Sequence, residues 1–340
     1  MGFDAKTLCF VFLYVIFIFP LPSFSQVKWI NADSEYAPLP ASFHVYKTTD
    51  SIDGKPFIGY YAEAHLHDKQ LNFTADTTRD RRITPLQFYH RNGRPLLVVN
   101  STFFSYETNR SLNLVIKEDH LLAYNIHSIP LRGKDTFQYR HPIGSAIGID
   151  HNRKADIAWL ITDSAQRYAY ASELPATKPI KDSVKRPAFN YLTHHLFASS
   201  DSVLADDVYH TLHFKKWKMR TAVGGGPVLL QKGSVRITNE EEMKFAGRAI
   251  NDKHPRTCMG YTADGRLIIM VIEGRYPGRA EGATLRQEAL LMKDLGCIEA
   301  INLDGGGSSC MLINGKETIK PSEKGEERAV PAVFLIKLEH

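Results

Sequence analysis

The stretch AINLDGGGSSCML, residues 300–312, puts a carboxylate, Asp304, at the end of an apolar run and follows it with three glycines and two serines. Upstream, VIEGRYPG ends another apolar run on Glu273, with Arg275 two residues further on. Paired carboxylates suit glycosyl transfer through an oxocarbenium-like state, one acting at the anomeric carbon and the other handling a proton. Arginines such as Arg275 and Arg256 can grip phosphate oxygens in a fork. Unshielded N–H groups along a glycine run form an anion nest. Together these residue types point to a substrate with both a sugar and a phosphate. Each also has a plainer reading. Three glycines serve as a tight turn, a strand-end Asp caps the turn after it, and Glu-Gly-Arg closes a salt-bridged β-turn.

Other chemistries are not written in the chain. There is no phosphate-binding G-x-x-x-x-G-K-[ST], no G-x-G-x-x-G before a helix, no H-E-x-x-H and no EF-hand loop. In GGGSSC, Cys310 stands where a nucleophile elbow requires glycine. The fourteen histidines, His194, His195, His210 and His213 among them, fall in no metal-ligand spacing, so neither metal nor cofactor is expected. A net charge of +5 over 340 residues is well short of a nucleic-acid-binding composition, yet tolerates an anionic substrate. The basic run HFKKWKMR, residues 213–220, reads as a solvated strand face or, more sharply, as a groove for an anionic polymer.

The first 25 residues differ from the rest. Lys6, an apolar run from Leu8 to Phe19, Pro20, Pro22 and a small-residue site ending at Ser25 read as a signal peptide. The run is too short for a comfortable membrane span, so a secreted or periplasmic protein is expected, with no stable span after cleavage. Cys258, Cys297 and Cys310 then remain, neither a disulfide scaffold nor a zinc site, with room for one bridge.

Positioning these residues falls to a series of short elements. Strands are expected at 42–47, 57–66, 95–100, 144–149, 155–161, 226–231, 256–262, 266–273, 298–303 and 330–338. Hairpins are expected at 112–124, at Ala263-Asp264-Gly265 and at Asn314-Gly315. Pro85 opens a short helix. Thr284 and Gln287 have capping-box spacing, an apolar stripe follows, and Gly296 is placed to end the helix. The region 172–220, with Pro175, Pro179 and Pro187, reads as an excursion over the surface. The sum is an α+β fold of mixed β-sheets with a few packed helices, including one βαβ-like crossover from strand 266–272 through the helix to strand 298–303. If those strands are parallel, Glu273 and Asp304 leave one edge of the sheet, where ligands bind in α/β folds. Residues 26–89 supply a lead-in and strands to the same globular unit as a catalytic domain at 90–338.

At these residues the chain resembles the phosphodiester glycosidase family. The resemblance rests on VVNSTFF, VGGGPVLLQKG, RTCMGYTADGRLIIMVIEGR, GATLRQEALLMKDLGCIEAINLDGGGSSCMLINGK and RAVPAVFLI, in that order, and is dense from residue 222 onward. It implies an active site lined by Asp304, Asn302, Gly305, Gly306, Gly307, Glu273, Arg275, Gly225, Gly226 and Asn100, with Thr284, Ser308 and Arg328 at further family positions. Two positions depart from the family: Ser101-Thr102 replaces a pair of glycines, and Glu273 stands where Asp is frequent. The activity implied is hydrolysis of a sugar-1-phosphodiester at the glycosidic C–O bond, releasing a free sugar such as N-acetylglucosamine and a phosphomonoester. Asp304 is expected nearest the anomeric centre and Glu273 as proton-handling partner, with the reverse assignment open. A non-catalytic glycan or cell-wall-polymer binder and a metal-dependent phosphodiesterase cutting P–O are the competing readings.

Overall fold

Residues 97–100 are buried without exception, as are six of the seven residues of Arg266–Ile272. Strands buried on both faces lie in the middle of sheets, and these two lie in the middle of different ones. The computed structural model describes residues 27–131, 136–162, 167–175, 181–182 and 214–339. The expected signal peptide, the four singled-out histidines and most of the basic 172–220 region lie outside the described residues.

Three sheets carry the fold. The 8-stranded sheet runs Ile30–Asn31, Phe43–Thr48, Gly59–His65, Arg266–Ile272, Arg256–Thr262, Cys297–Asn302, Val228–Gln231, Ser234–Val235. The 7-stranded sheet is centred on Ala155–Ile161, Gly144–Ile149 and Thr221–Gly224, and the 5-stranded sheet on Met311–Ile313, Leu97–Asn100 and Ala332–Leu338. Their inner faces share one apolar core, with Val45 and Ile269, Leu97 and Phe334, and Ile147 and Trp159 drawn from the three sheets in turn.

The expected mixed sheets are antiparallel throughout the described residues. Arg266–Ile272 and Cys297–Asn302 run the same way because each pairs antiparallel with Arg256–Thr262, which lies between them. The βαβ-like crossover is therefore no unit of neighbouring parallel strands. The alternation of apolar residues marks a strand but not its partner, and an earlier hairpin strand fills the gap. Glu273, Asp304 and Arg256 still emerge at one edge of this sheet.

Local signals hold where they are chemical. Both Thr84 and Thr284 cap their helices with full capping boxes. Gly296 takes φ 84° after the second helix, and Asn314 and Gly315 take φ 49° and 77°, as a type I′ turn requires. Helix Leu285–Asp294 packs Leu285, Ala289 and Met292 onto Ile268, Met270 and Cys258. The three cysteines are free and buried. No helix among the described residues is long and apolar enough to cross a membrane.

The Thr284 side chain thus works as a helix cap, accepting from the Gln287 N–H at 3.1 Å. Replacing Thr284 by Ala should cost about 1 kcal/mol in chemical denaturation. Replacing it by Ser should restore most of that.

Candidate active site

Three of the segments that carry the resemblance, VVNSTFF, AVGGGPVLL and INLDGGGSS, lie where the chain leaves one sheet for another. AVGGGPVLL carries it from Thr221–Gly224 in the 7-stranded sheet to Val228–Gln231 in the 8-stranded one. INLDGGGSS carries it from Cys297–Asn302 to Met311–Ile313 in the 5-stranded sheet, and VVNSTFF ends the central strand of that sheet. The crossings meet. The Gly226 N–H donates to the Asn302 carbonyl at 2.7 Å, and the Asp304 N–H donates to the Ser101 carbonyl at 2.8 Å.

Two asparagines lock this junction. Asn302 Nδ2 donates to the carbonyls of Gly226 and Leu303, each at 2.8 Å. Asn100 is fully buried; its Nδ2 donates to the Asp304 carbonyl at 2.5 Å, while its Oδ1 accepts from Thr257 Oγ1 at 2.9 Å and the Cys310 N–H at 3.0 Å. Both residues tether the backbone beside Asp304.

Asp304 keeps a partial opening to solvent, yet its carboxyl is crowded enough that burial pushes its pKa up to about 7. Opposing that shift, Ser308 and the Gly305 N–H hydrogen-bond to the carboxylate, and Arg328 and Lys244 supply positive charge. Arg328 also reaches Ser308 Oγ at 3.5 Å and pairs with Glu323. Arg275 adopts φ 67°, a conformation unusual for a side chain with Cβ. Its exposed guanidinium has no hydrogen-bond or ion-pair partner among the described residues.

The glycines divide into two kinds. A Cβ on Gly305 would lie 2.8 Å from the Pro255 carbonyl oxygen, and one on Gly225 would lie 2.5 Å from that of Asn302. These two permit close backbone packing. Over Gly306 and Gly307 the space is already taken, by the guanidinium groups of Arg275 and Arg328 respectively. The expected bare cradle is thus filled by two arginines that the missing side chains admit.

Other expected site residues serve elsewhere. Glu273 is 1% exposed, its Oε1 accepts from Arg279 Nε at 2.9 Å, and its Oε2 accepts from the Lys320 N–H at 2.9 Å. It anchors two loops inside the protein and is not presented beside Asp304 as a second free carboxylate. The salt-bridged reading of this segment holds with Arg279 in place of Arg275. Arg256 is buried and donates from Nε to the Ala283 carbonyl at 2.9 Å, which ties it to the sheet edge.

Lys244 is the residue that the sequence concealed. It ends the charged run Asn239-Glu240-Glu241-Glu242-Met243-Lys244, which looks like a solvated face. In the fold Glu242 is buried and Lys244 lies against Gly226, with burial pushing its pKa down to about 8. No one-dimensional signal marks it, since its neighbours Phe103, Arg140, Gly226 and Asp304 come from four distant segments.

A contrast tests this division of the glycines. Gly305→Ala should lower the melting temperature, because backbone atoms must yield. Gly307→Ala should leave it near that of the unmodified protein, because only the flexible tips of Arg328 and Glu323 must move, while inorganic phosphate binding followed by calorimetry weakens. Equal melting temperatures for the two variants would contradict the contrast.

Residues 183–337 match the family model described as phosphodiester glycosidase. Over 103 residues, 28% of the chain, it is 32% identical to the N-acetylglucosamine-1-phosphodiester alpha-N-acetylglucosaminidase of Bos taurus. Over 87 residues, 26% of the chain, it is 43% identical to the SPbeta prophage-derived uncharacterized protein YomE of Bacillus subtilis. These matches span 19% and 13% of the two relatives. The catalytic domain of the zebrafish N-acetylglucosamine-1-phosphodiester alpha-N-acetylglucosaminidase shares the fold at a TM-score of 0.56 and 18% identity, covering 93% of this chain and 89% of that one. Asp304, its glycines, Arg275 and Gly225-Gly226 all lie inside the segment that matches the phosphodiester glycosidase family.

Proposed function

We propose that this protein hydrolyses a sugar-1-phosphodiester at its glycosidic C–O bond, releasing a free sugar and a phosphomonoester. One observation carries the reading: the Asp304 carboxyl stands among Arg328, Lys244 and Arg275, and of these Arg275 and Lys244 have no ion-pair partner among the described residues, while Arg328 is paired with Glu323. That setting favours an anionic substrate whose reacting carbon becomes positive. The family match and its N-acetylglucosamine-1-phosphodiester relatives support the substrate class.

The phosphodiester lies against the guanidinium groups held over Gly306 and Gly307, which bind its non-bridging oxygens. Asp304 faces the anomeric carbon. In its ionised form it stabilises the oxocarbenium-like centre and takes the proton of the attacking water. A base with a pKa of about 7 is poised for that transfer near neutral pH. The phosphate departs as a stable anion, so it needs less protonation than an alkoxide. Glu273 keeps the Arg279 and Lys320 segments in place, which changes its expected part from proton handling to positioning. Export through the leader at residues 1–25 belongs to the same proposal.

The test is release of free sugar from a synthetic N-acetylglucosamine-1-phosphodiester in oxygen-18 water. Label in the sugar is expected; label in the phosphate would mean P–O cleavage, and binding without release would mean a non-catalytic protein. Asp304→Asn should abolish turnover, and near-full activity in that variant would remove Asp304 from the mechanism. The same variant should keep its fold and be at least as stable at pH 8. A raised carboxyl pKa makes the folded state lose stability as pH climbs from about 4 to about 7, a penalty that Asn does not carry. Because the base must be ionised, kcat/KM should fall as pH drops below about 7.

A further inference from the structure

Lys244 is held in a way that serves the fold poorly. Its stem passes beside Gly226, where a Cβ would come within 2.6 Å of Lys244 Cε. Its Nζ lies 4.8 Å from the centroid of the Phe103 ring, and Phe103 packs edge-on against Phe245. Among the described residues no hydrogen bond or ion pair reaches this ammonium. The neighbouring carboxylate, Glu242, is already satisfied. Its Oε2 accepts from Ser145 Oγ at 2.7 Å, and its Oε1 accepts from Thr238 Oγ1 at 2.7 Å, the Val228 N–H at 2.9 Å and Trp159 Nε1 at 3.2 Å.

The remaining charged groups facing Lys244 are Arg140, which repels it, and Asp304, which attracts it. Arg140 is fixed there by donating to the Met243 carbonyl at 2.9 Å. A crowded cation without a hydrogen-bond partner is costly, and a ring face offsets only part of that cost. Such a group marks a place where an anion completes the structure.

We propose that the Lys244 ammonium is a direct ligand of the substrate phosphate, reaching it from the wall at Gly226 while the arginines approach over Gly306 and Gly307. This rests on the hydrolytic reading given above and adds a residue to it. As the C1–O bond breaks, its electron pair passes to the phosphate oxygen, and the phosphate goes from one negative charge to two. Water supplies the oxygen that bonds to C1, and its proton goes to Asp304. A fixed ammonium beside the departing oxygen gains most at the point where the second charge appears. Phe103 and Gly226 set its position: the ring covers one side and the missing Cβ leaves room for the stem. The lowered Lys244 pKa, about 8, means that this wall loses its charge in mildly alkaline solution.

Two variants separate a ligand from a structural lysine. Lys244→Met keeps the stem and removes the charge; Lys244→Arg keeps a charge that does not titrate. Binding of dimethyl phosphate, a phosphodiester anion, is followed by phosphorus NMR titration between pH 6.5 and pH 9. The unmodified protein should bind it, more weakly above pH 8. Lys244→Met should bind at least about tenfold more weakly, with an unchanged or raised melting temperature, since an unpartnered charge has been removed. Lys244→Arg should bind with a flat response above pH 8. Equal binding by the unmodified protein and Lys244→Met overturns the proposal. So does binding by neither, or a sharp fall in the melting temperature of Lys244→Met with binding intact. Sugar-release assays keep the two readings apart. Lys244-dependent binding without release defeats the hydrolytic function and leaves the phosphate ligand standing. Release by Lys244→Met at the unmodified rate does the reverse.

Discussion

Two backbone hydrogen bonds fix where three chain crossings meet: Gly226 N–H to Asn302, and Asp304 N–H to Ser101. Each crossing takes the chain from one sheet towards another, so each must shed regular pairing at the junction. Backbone groups freed in this way cannot stay unpaired in a protein interior. They are paired with one another and with the amides of Asn100 and Asn302. The position of Asp304 is thereby set by all three sheets together. A reacting group needs that kind of support, because a small displacement costs much of the rate.

The electrostatics follow from the same junction. Packing the crossings closely removes water from around Asp304, and low hydration disfavours its ionised form. The cations around it act in the opposite sense, and the balance leaves the carboxyl about half ionised near pH 7. Stability would be better served by apolar residues here, as with many partly satisfied buried charges. The layout resembles a receptor for an anion with one base in its centre more than a symmetrical pair of carboxylates. Glycines contribute twice over: Gly225 and Gly305 let backbones touch, while Gly306, Gly307 and Gly226 admit the long side chains of Arg275, Arg328 and Lys244.

Much of the fold was legible because turn and cap chemistry is local. Thr284 with Gln287, Asn314-Gly315 and Ala263-Asp264-Gly265 each state their geometry within a few residues. Sheet order was not legible, since alternation says nothing about partners. That is why Arg256–Thr262 between Arg266–Ile272 and Cys297–Asn302 came unannounced. Asp304 stood out through its glycines. Glu273 misled because Arg275 is its sequence neighbour, whereas the left-handed turn at Arg275 brings Arg279 back to it through the Tyr276–Ala280 bridge. Glu242 and Lys244 were hidden for the opposite reason: a run of charges looks solvated until tertiary contacts bury part of it.

The protonation state of Asp304 is the point on which the chemistry turns. Carbon-13 NMR titration of aspartate-labelled protein, with Asp304→Asn to assign the resonance, reads it directly. An apparent pKa of about 7 is predicted. An ordinary value near about 4 would contradict it, because the carboxyl would then be a solvated surface acid with no special environment.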